Sequence, residues 1–476
     1  MRFVPLAAVA VMAASVLVPA SLAAQSKWKV QHTTSLLLGV DAVDSMHAWV
    51  GGGMNGLGAT IHGTSDGGKT WTKLYGGLDF TGMVMDIDMV DSQVGYAGGL
   101  GLPGMSGLGK TTDGGKTWTK LTPVLRAFLA NAWQDVFALD RNHVWVVGTW
   151  VGLGAGEGVS SSSDGGKTWT FVDTTTTVGT SARYCWFVDS KNGWLASGQW
   201  PSQNNPNQPY LGVISKTTDG GLTWTNQFKL NGYYFNGIQF VDANHGWVTA
   251  DGPGSSGRVY HTSDGGKTWK NQPFPNQDKT SLTGISMLDL KNGWAVGFGA
   301  GAGGQPAVNL IQTTDGGKTW RLDPFKAPYG PLVISMVNPG RGWTVGSNNF
   351  QVGGIMMLDA EELGNYGGAT AGCGLWLSGV GRPLVGNQSF GVRVTSAPGQ
   401  GALLIGGAPT SQSLLGIELL VAPTGIEAIP MSSSLGMPIP NRKGLIGRSA
   451  FTQAVYLARC GPQGLAATQG LVITVR

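Results

Sequence analysis

"TSDGGKTW", residues 64–71, recurs with at most two changes at 111–118, 162–169, 217–224, 262–269 and 313–320. The Trp residues closing the six copies, Trp71, Trp118, Trp169, Trp224, Trp269 and Trp320, follow one another at intervals of 45–55 residues. A second landmark falls between them, an aromatic after a short polar turn, as in "DSMHAWVGG" (44–52) and "DSKNGWLASG" (189–198). It places Trp49, Tyr96, Trp145, Trp194, Trp247, Trp294 and Trp343, seven copies against six boxes. Each unit reads as an apolar run, a turn, the aromatic strand, a Gly-rich loop, the box as a hairpin turn and an outer "TWTKL"-like strand.

Four short strands per unit at this period fit propeller blades around a central channel. A lone blade cannot bury both faces, so the ring must close. After Trp343 the chain supplies no seventh box, whereas "SKWKVQ" (26–31) resembles an orphan outer strand with Trp28 at the box Trp position. The expectation is an all-β chain: a seven-bladed propeller over 25–362, closed by the N-terminal strand, and a small β-sandwich-like domain over 366–476.

Within the box, an Asp in a tight turn accepts hydrogen bonds from nearby backbone N–H groups, and the Gly pair permits positive φ. Asp66, Asp113, Asp164, Asp219, Asp264 and Asp315 are therefore read as structural, with the box Trp packing between blades. "GTSDG" (63–67) matches the nucleophile-elbow pattern but lies inside a box, without the strand-to-helix context that pattern requires. His47, His143 and His245 each precede a landmark Trp by two residues and read as turn residues, not as metal ligands.

These boxes resemble the Asp-box, or BNR, repeat of sialidases, xyloglucanases, sortilin-type receptors and the photosystem II assembly-factor propellers. The short unit with "NGW" turns is most similar to the last of these, over roughly residues 26–360. That resemblance implies a non-enzymatic propeller that holds partner proteins through a patch of Arg. The candidates here are Arg126, Arg141, Arg183, Arg258, Arg321 and Arg341. The sialidase pattern fits less well: there is no "RIP", and between residues 26 and 360 the only Glu is Glu157.

Composition narrows the function further. Charged residues make up 12% against roughly 25% in an average soluble protein. The net charge is +4 with Lys scattered, which gives no basis for a nucleic-acid partner. Residues 1–24 (Arg2, an apolar run, then "PASLAAQS") read as a signal peptide, so a secreted, periplasmic or cell-surface location is expected. No later run is long enough to span a membrane. Cys373 and Cys460 are expected to pair in an oxidising compartment, and Cys185 to be a buried apolar residue.

Two sets of residues carry the functional expectations. Connections on the face opposite the box turns hold Tyr75, Phe80, Phe128, Trp133, Trp150, Trp200, Tyr210, Tyr233, Tyr234 and Tyr329. Of these, Trp133, Trp150, Trp200, Tyr210, Tyr233 and Tyr234 are the candidate binding face for a protein or glycan. The innermost strands of the first three units carry Asp41, Asp86, Asp88 and Asp135. Unpaired carboxylates there would bind water, a cation or substrate. Two of them could serve as acid and base of a glycoside hydrolase, the alternative function. No cofactor is expected, a calcium ion on these carboxylates being the one exception, and the protein is expected to be a monomer.

Overall fold

The computed structural model describes residues 26–359, apart from 54–57, 103, 124–129, 152–155, 179, 202–205, 301–305, 326–328 and 349–351. Past residue 375 it describes ten strands, from Trp376–Val380 to Leu471–Thr474. The expected leader (1–24), Phe128, Arg126, Cys373 and Cys460 lie outside the described residues.

Up to Asp359 the strands form seven antiparallel four-stranded meanders. Blade one is Leu37–Ala42, Ala48–Gly53, Ala59–Thr64 and Thr72–Gly77. Blades two to six repeat that order from Val84–Met89, Ala130–Ala138, Ser181–Phe187, Tyr234–Phe240 and Gly284–Met287. Blade seven takes three strands from Gly330–Asn338, Arg341–Asn348 and Val352–Asp359, and its fourth is Trp28–Ser35 from the opposite end of the propeller sequence. Blades two and three are also bridged by a short pairing of Asn131 and Ala132 with Gly101 and Leu100. Apart from single turns at Thr175–Val178 and Gln277–Lys279, every described element is a strand.

The first strands of successive blades touch one another around the ring, including that of blade seven against blade one. Most carry an irregularity at one position, between Leu37 and Gly39, Val84 and Asp86, Trp133 and Asp135, Ala182 and Tyr184, Phe235 and Gly237, and Pro331 and Val333. A repeated bulge bends and twists the inner strand, as a tight ring requires.

The core is divided in the same way. Among the described residues, seven apolar clusters each lie between two neighbouring blades, so every blade is stabilised by the next. Phe187 stacks on Trp145 at 3.8 Å, and Phe240 on Trp194 at 3.6 Å, across two of these joints. At the joint of blades six and seven, buried Trp28 fills the space beside Trp294, Met356 and Leu358.

The C-terminal strands are also antiparallel. Trp376–Val380, Gly391–Thr395 and Ser434–Gly436 form one sheet, and a five-stranded sheet is built on Gly401–Gly406 and Ser449–Leu457. The hairpin strand Ile417–Val421 lies against Ser449–Leu457.

Candidate functional site

The recurring box is joinery. In the first copy Thr64 Oγ1 donates to Asp66 Oδ1 (2.8 Å), and Gly68 N donates to Thr64 Oγ1 (2.9 Å). Thr70 donates from N to Asp66 Oδ1 (2.9 Å) and from Oγ1 to Oδ2 (2.7 Å). The other five boxes repeat the set. Gly67 and Gly68 sit at φ 72° and 81°, and Gly67 N donates to Met46 O in the landmark turn of its own blade. The landmark Trp then reaches the next blade: Trp49 Nε1 donates to Gly114 O (2.8 Å) and Trp145 Nε1 to Gly220 O (2.8 Å). The Thr70 amide and hydroxyl hold Asp66 down at a pKa of about 2. Each landmark His binds the Asp of its own turn, as His47 does with Asp44.

Two landmark Trp residues depart from this: at blade six Gln272 Nε2 takes Gly316 O (2.9 Å) and Trp247 Nε1 is buried without a partner, and blade seven has no box, with Trp294 Nε1 likewise buried without a partner. At the next joint Gln31 of the closing strand takes the place of a box carbonyl. Its Oε1 accepts Trp343 Nε1 (3.2 Å) and Trp71 Nε1 (3.3 Å).

The channel carboxylates form a second set of cross-blade links. Asp41 Oδ2 accepts Met89 N (2.8 Å). Asp86 Oδ2 accepts Val136 N (2.9 Å), Asp88 Oδ2 accepts Ala138 N (2.6 Å), and Asp135 Oδ2 accepts Cys185 N (2.8 Å). Elsewhere neutral groups do the same work. Gln239 binds both N and O of Met287, Ser286 Oγ accepts Met336 N (3.1 Å), and Ser335 Oγ accepts Ala42 N (3.1 Å). The expectation that these carboxylates are unpaired is thus corrected: each accepts a backbone N–H of the following blade through one oxygen. Among the described residues no group of three or more His, Cys, Asp or Glu side chains is arranged to hold a metal ion. Burial, followed by the charge of Asp135, raises the pKa of Asp86 well above the usual range, and burial raises Asp135 to about 7.

The aromatic face divides. Trp133 is 1% exposed, and its Nε1 donates to Ser106 O (2.9 Å), so it is a core residue of the joint between blades two and three, not a binding-face residue. Phe80 is equally buried. The side chain of Trp150 lies outside the described residues. Trp200, Tyr210 and Tyr234 come together at the joint of blades four and five. Ring centroids are 5.2 Å apart for Trp200 and Tyr234, and 5.9 Å for Tyr210 and Tyr234.

Arg183 lies among these rings, with its guanidinium carbon 4.7 Å from the centroid of Trp200, 5.6 Å from Tyr184 and 5.9 Å from Tyr234. Its Nε is buried without a hydrogen-bond partner, and among the described residues no carboxylate pairs with it. Two carboxylates fix the strand that carries it. Glu157 accepts Ser181 Oγ (2.6 Å) and Ala182 N (3.0 Å), and Asp135 accepts Cys185 N. Tyr234 Oη donates to buried Asp251 (3.3 Å); burial, then the Asp251 charge, raises its pKa to about 12. Beside it, Arg258 stacks on Tyr233 at 5.0 Å and pairs with Asp278 at 2.7 Å. Trp200 remains 38% exposed, so the cluster opens to solvent.

Of the Arg candidates, Arg183 and Arg258 therefore join the aromatic face. Arg141 instead pairs with Asp91, and Arg341 with Asp359. Sequence reading chose the aromatics but could not choose among the arginines, which sit in different blades.

The family model described as "Photosynthesis system II assembly factor YCF48" matches residues 223–346. No curated protein matches the chain in sequence. Among solved structures, YCF48 bound to a D1 peptide is 18% identical, with a TM-score of 0.50 over 71% of this chain and 98% of its own. YCF48 from Cyanidioschyzon merolae is also 18% identical, with a TM-score of 0.46, covering 70% of this chain and 99% of its own. A streptogramin B lyase is 11% identical, with a TM-score of 0.47 over 68% and 97%. The chain is an Asp-box β-propeller, similar to the photosystem II assembly-factor propellers.

Proposed function

We propose that this protein is an exported, non-catalytic propeller that holds an extracytoplasmic protein partner on the face formed by Arg183, Trp200, Tyr210, Tyr233 and Tyr234. The observation that carries this reading is the state of Arg183, a cation stacked on aromatic rings at an open edge, with no carboxylate pairing with it among the described residues. Such a group suits an incoming carboxylate backed by a planar or apolar group. The similarity to a propeller described as bound to a D1 peptide supports a protein ligand over a glycan. A glycoside hydrolase needs two carboxyl groups presented to substrate, whereas each of the four channel carboxylates has one oxygen turned to a backbone N–H of the next blade.

The test is site-specific photocrosslinking in the native exported fraction. A benzophenone amino acid at position 200 is expected to give one discrete protein adduct, lost on Arg183→Ala, while the same group at Lys267 in a box turn gives none. Equal labelling from both positions, or an adduct indifferent to Arg183→Ala, would refute the reading. Release of a defined oligosaccharide from a polysaccharide panel, abolished by Asp86→Asn, would replace it with catalysis.

A further inference from the structure

Of the six His in the chain, His47, His143 and His245 are tied to the Asp of their own landmark turn. The other three, His32, His62 and His261, pair with no carboxylate among the described residues. Two of them meet where the ring is closed. His32 lies on the closing strand Trp28–Ser35, and His62 on Ala59–Thr64, the third strand of blade one. Their ring centroids are 6.0 Å apart, with the planes inclined at 51°.

His62 stands in the joint between blades seven and one. It is 8% exposed and lies opposite Val50, a member of the apolar cluster that fills this joint. Its Nδ1 is buried and has no hydrogen-bond partner, a costly state for a polar atom unless something binds it. Burial, then His32 and Lys73, lower the pKa of His62, so the ring is neutral at pH 7 and keeps its lone pair. The matching position in blades two to seven holds Gly109, Ser160, Ser215, Tyr260, Ile311 and Met356, so only the closing joint carries an imidazole there.

The facing ring is placed by its own strand. The pairing of Trp28–Ser35 with Val352–Asp359 shifts register between Val30 and His32, and such a bulge re-aims a neighbouring side chain. Gln31, at the bulge, is anchored through its amide to Trp343, Trp71 and Met357 Sδ, which fixes the backbone beside His32.

Two imidazole nitrogens bound at about 2.0–2.1 Å to one ion hold their ring centres about 5–6 Å apart, the separation seen here. We propose that His32 and His62 bind a divalent transition-metal ion of the zinc, nickel or copper class, and that this ion staples the N-terminal strand to blade one. Imidazole suits these ions, whereas magnesium and calcium take oxygen ligands. With two protein ligands, the remaining coordination positions go to water. The pair His245 and His261 is not equivalent. Its rings lie 6.2 Å apart at only 17°, His261 packs on Trp247 at 4.5 Å, and His245 Nδ1 is held by Asp242. Imidazole lone pairs lie in the ring plane, so rings stacked face to face do not converge on one ion.

The test uses the full mature chain without an affinity tag, freed of metal by dialysis against EDTA. A Cu2+ titration followed by electron paramagnetic resonance is expected to show nitrogen hyperfine structure from imidazole. That signal should be lost in His32→Gln and in His62→Gln, and kept in His261→Gln. Zn2+ at about a hundredfold over its dissociation constant should raise the melting midpoint by about 5 °C and slow proteolysis of the 26–35 segment, and Mg2+ should do neither. His32 is only partly buried, so His32→Gln decides the matter if His62→Gln does not fold. Absence of an imidazole-bound copper signal, or a signal that survives His32→Gln, overturns the site. A site that forms without raising the midpoint or protecting the 26–35 segment overturns the staple. None of these readouts involves the Arg183 face, so the site stands or falls apart from the binding role proposed there.

Discussion

Trp28→Ala is the sharpest test of how the ring is held shut. Trp28 is 4% exposed and occupies the joint of blades six and seven. A buried Trp removes about 150–250 Å² from water, which at ~25 cal/mol/Å² gives roughly 4–6 kcal/mol. Its Nε1 has no partner, so truncation forfeits no hydrogen bond. Partial collapse of the cavity brings the expected loss to about 3–5 kcal/mol. For a propeller of this size, at ~2 °C per kcal/mol, the melting temperature should fall by about 6–10 °C. Trp71→Ala is the internal comparison. Trp71 is only partly buried and shares Gln31 with Trp343, so its loss should cost about 1–2 kcal/mol. The assay is thermal unfolding followed by near-ultraviolet circular dichroism, with limited proteolysis of the native state to show where the ring opens. Trp28→Ala should expose blade seven and the 26–35 segment to protease first. A loss below about 1 kcal/mol, or a cost no larger than that of Trp71→Ala, would refute the view that the N-terminal strand closes the ring.

Three further outcomes are expected. Asp135→Asn keeps an oxygen for Cys185 N–H but removes a half-buried charge whose pKa the fold raises from 3.8 to about 7, so the charge is destabilising above pH 7. The variant should therefore be more stable than the parent by about 1–3 kcal/mol at pH 8 and little different at pH 4, as read by urea unfolding at both pH values. Asp264→Ala removes the acceptor of the Thr268 amide and hydroxyl and should cost about 1–2 kcal/mol. The wild-type box shows the opposite pH dependence from Asp135: depressed in the fold, it contributes above the unfolded value of 3.8 and loses that contribution as pH falls through about 2, so acid unfolding should begin earlier once an independent site has been weakened. Arg183→Ala should leave the melting temperature within a few degrees, since a partly exposed cation–π contact contributes about 0.5–2 kcal/mol, while abolishing the Trp200-position crosslink; a large stability loss would make Arg183 structural.

Much of the architecture was legible because it is written in local chemistry. The Asp, Gly and Thr of each box satisfy one another within seven residues, so the motif declares its turn wherever it occurs. Six boxes against seven landmark aromatics, with Trp28 at the other end, predicted which blade is composite, and the pairing of Trp28–Ser35 with Val352–Asp359 bears this out. The aromatics at 200, 210 and 234 could be chosen because blade connectivity determines which loops share a face.

The sequence by itself determined the period, the turn chemistry, the closing strand and the side of the ring on which connections cluster. Tertiary structure decided that Asp41, Asp86, Asp88 and Asp135 each hold a backbone N–H of the next blade, that Trp133 is buried, and that Arg183 rather than Arg141 meets the rings. The physical reason is that each of these depends on what stands across a blade joint, about 50 residues away in sequence. Strand periodicity records which way a side chain points along its own blade, but not which group the neighbouring blade presents to it.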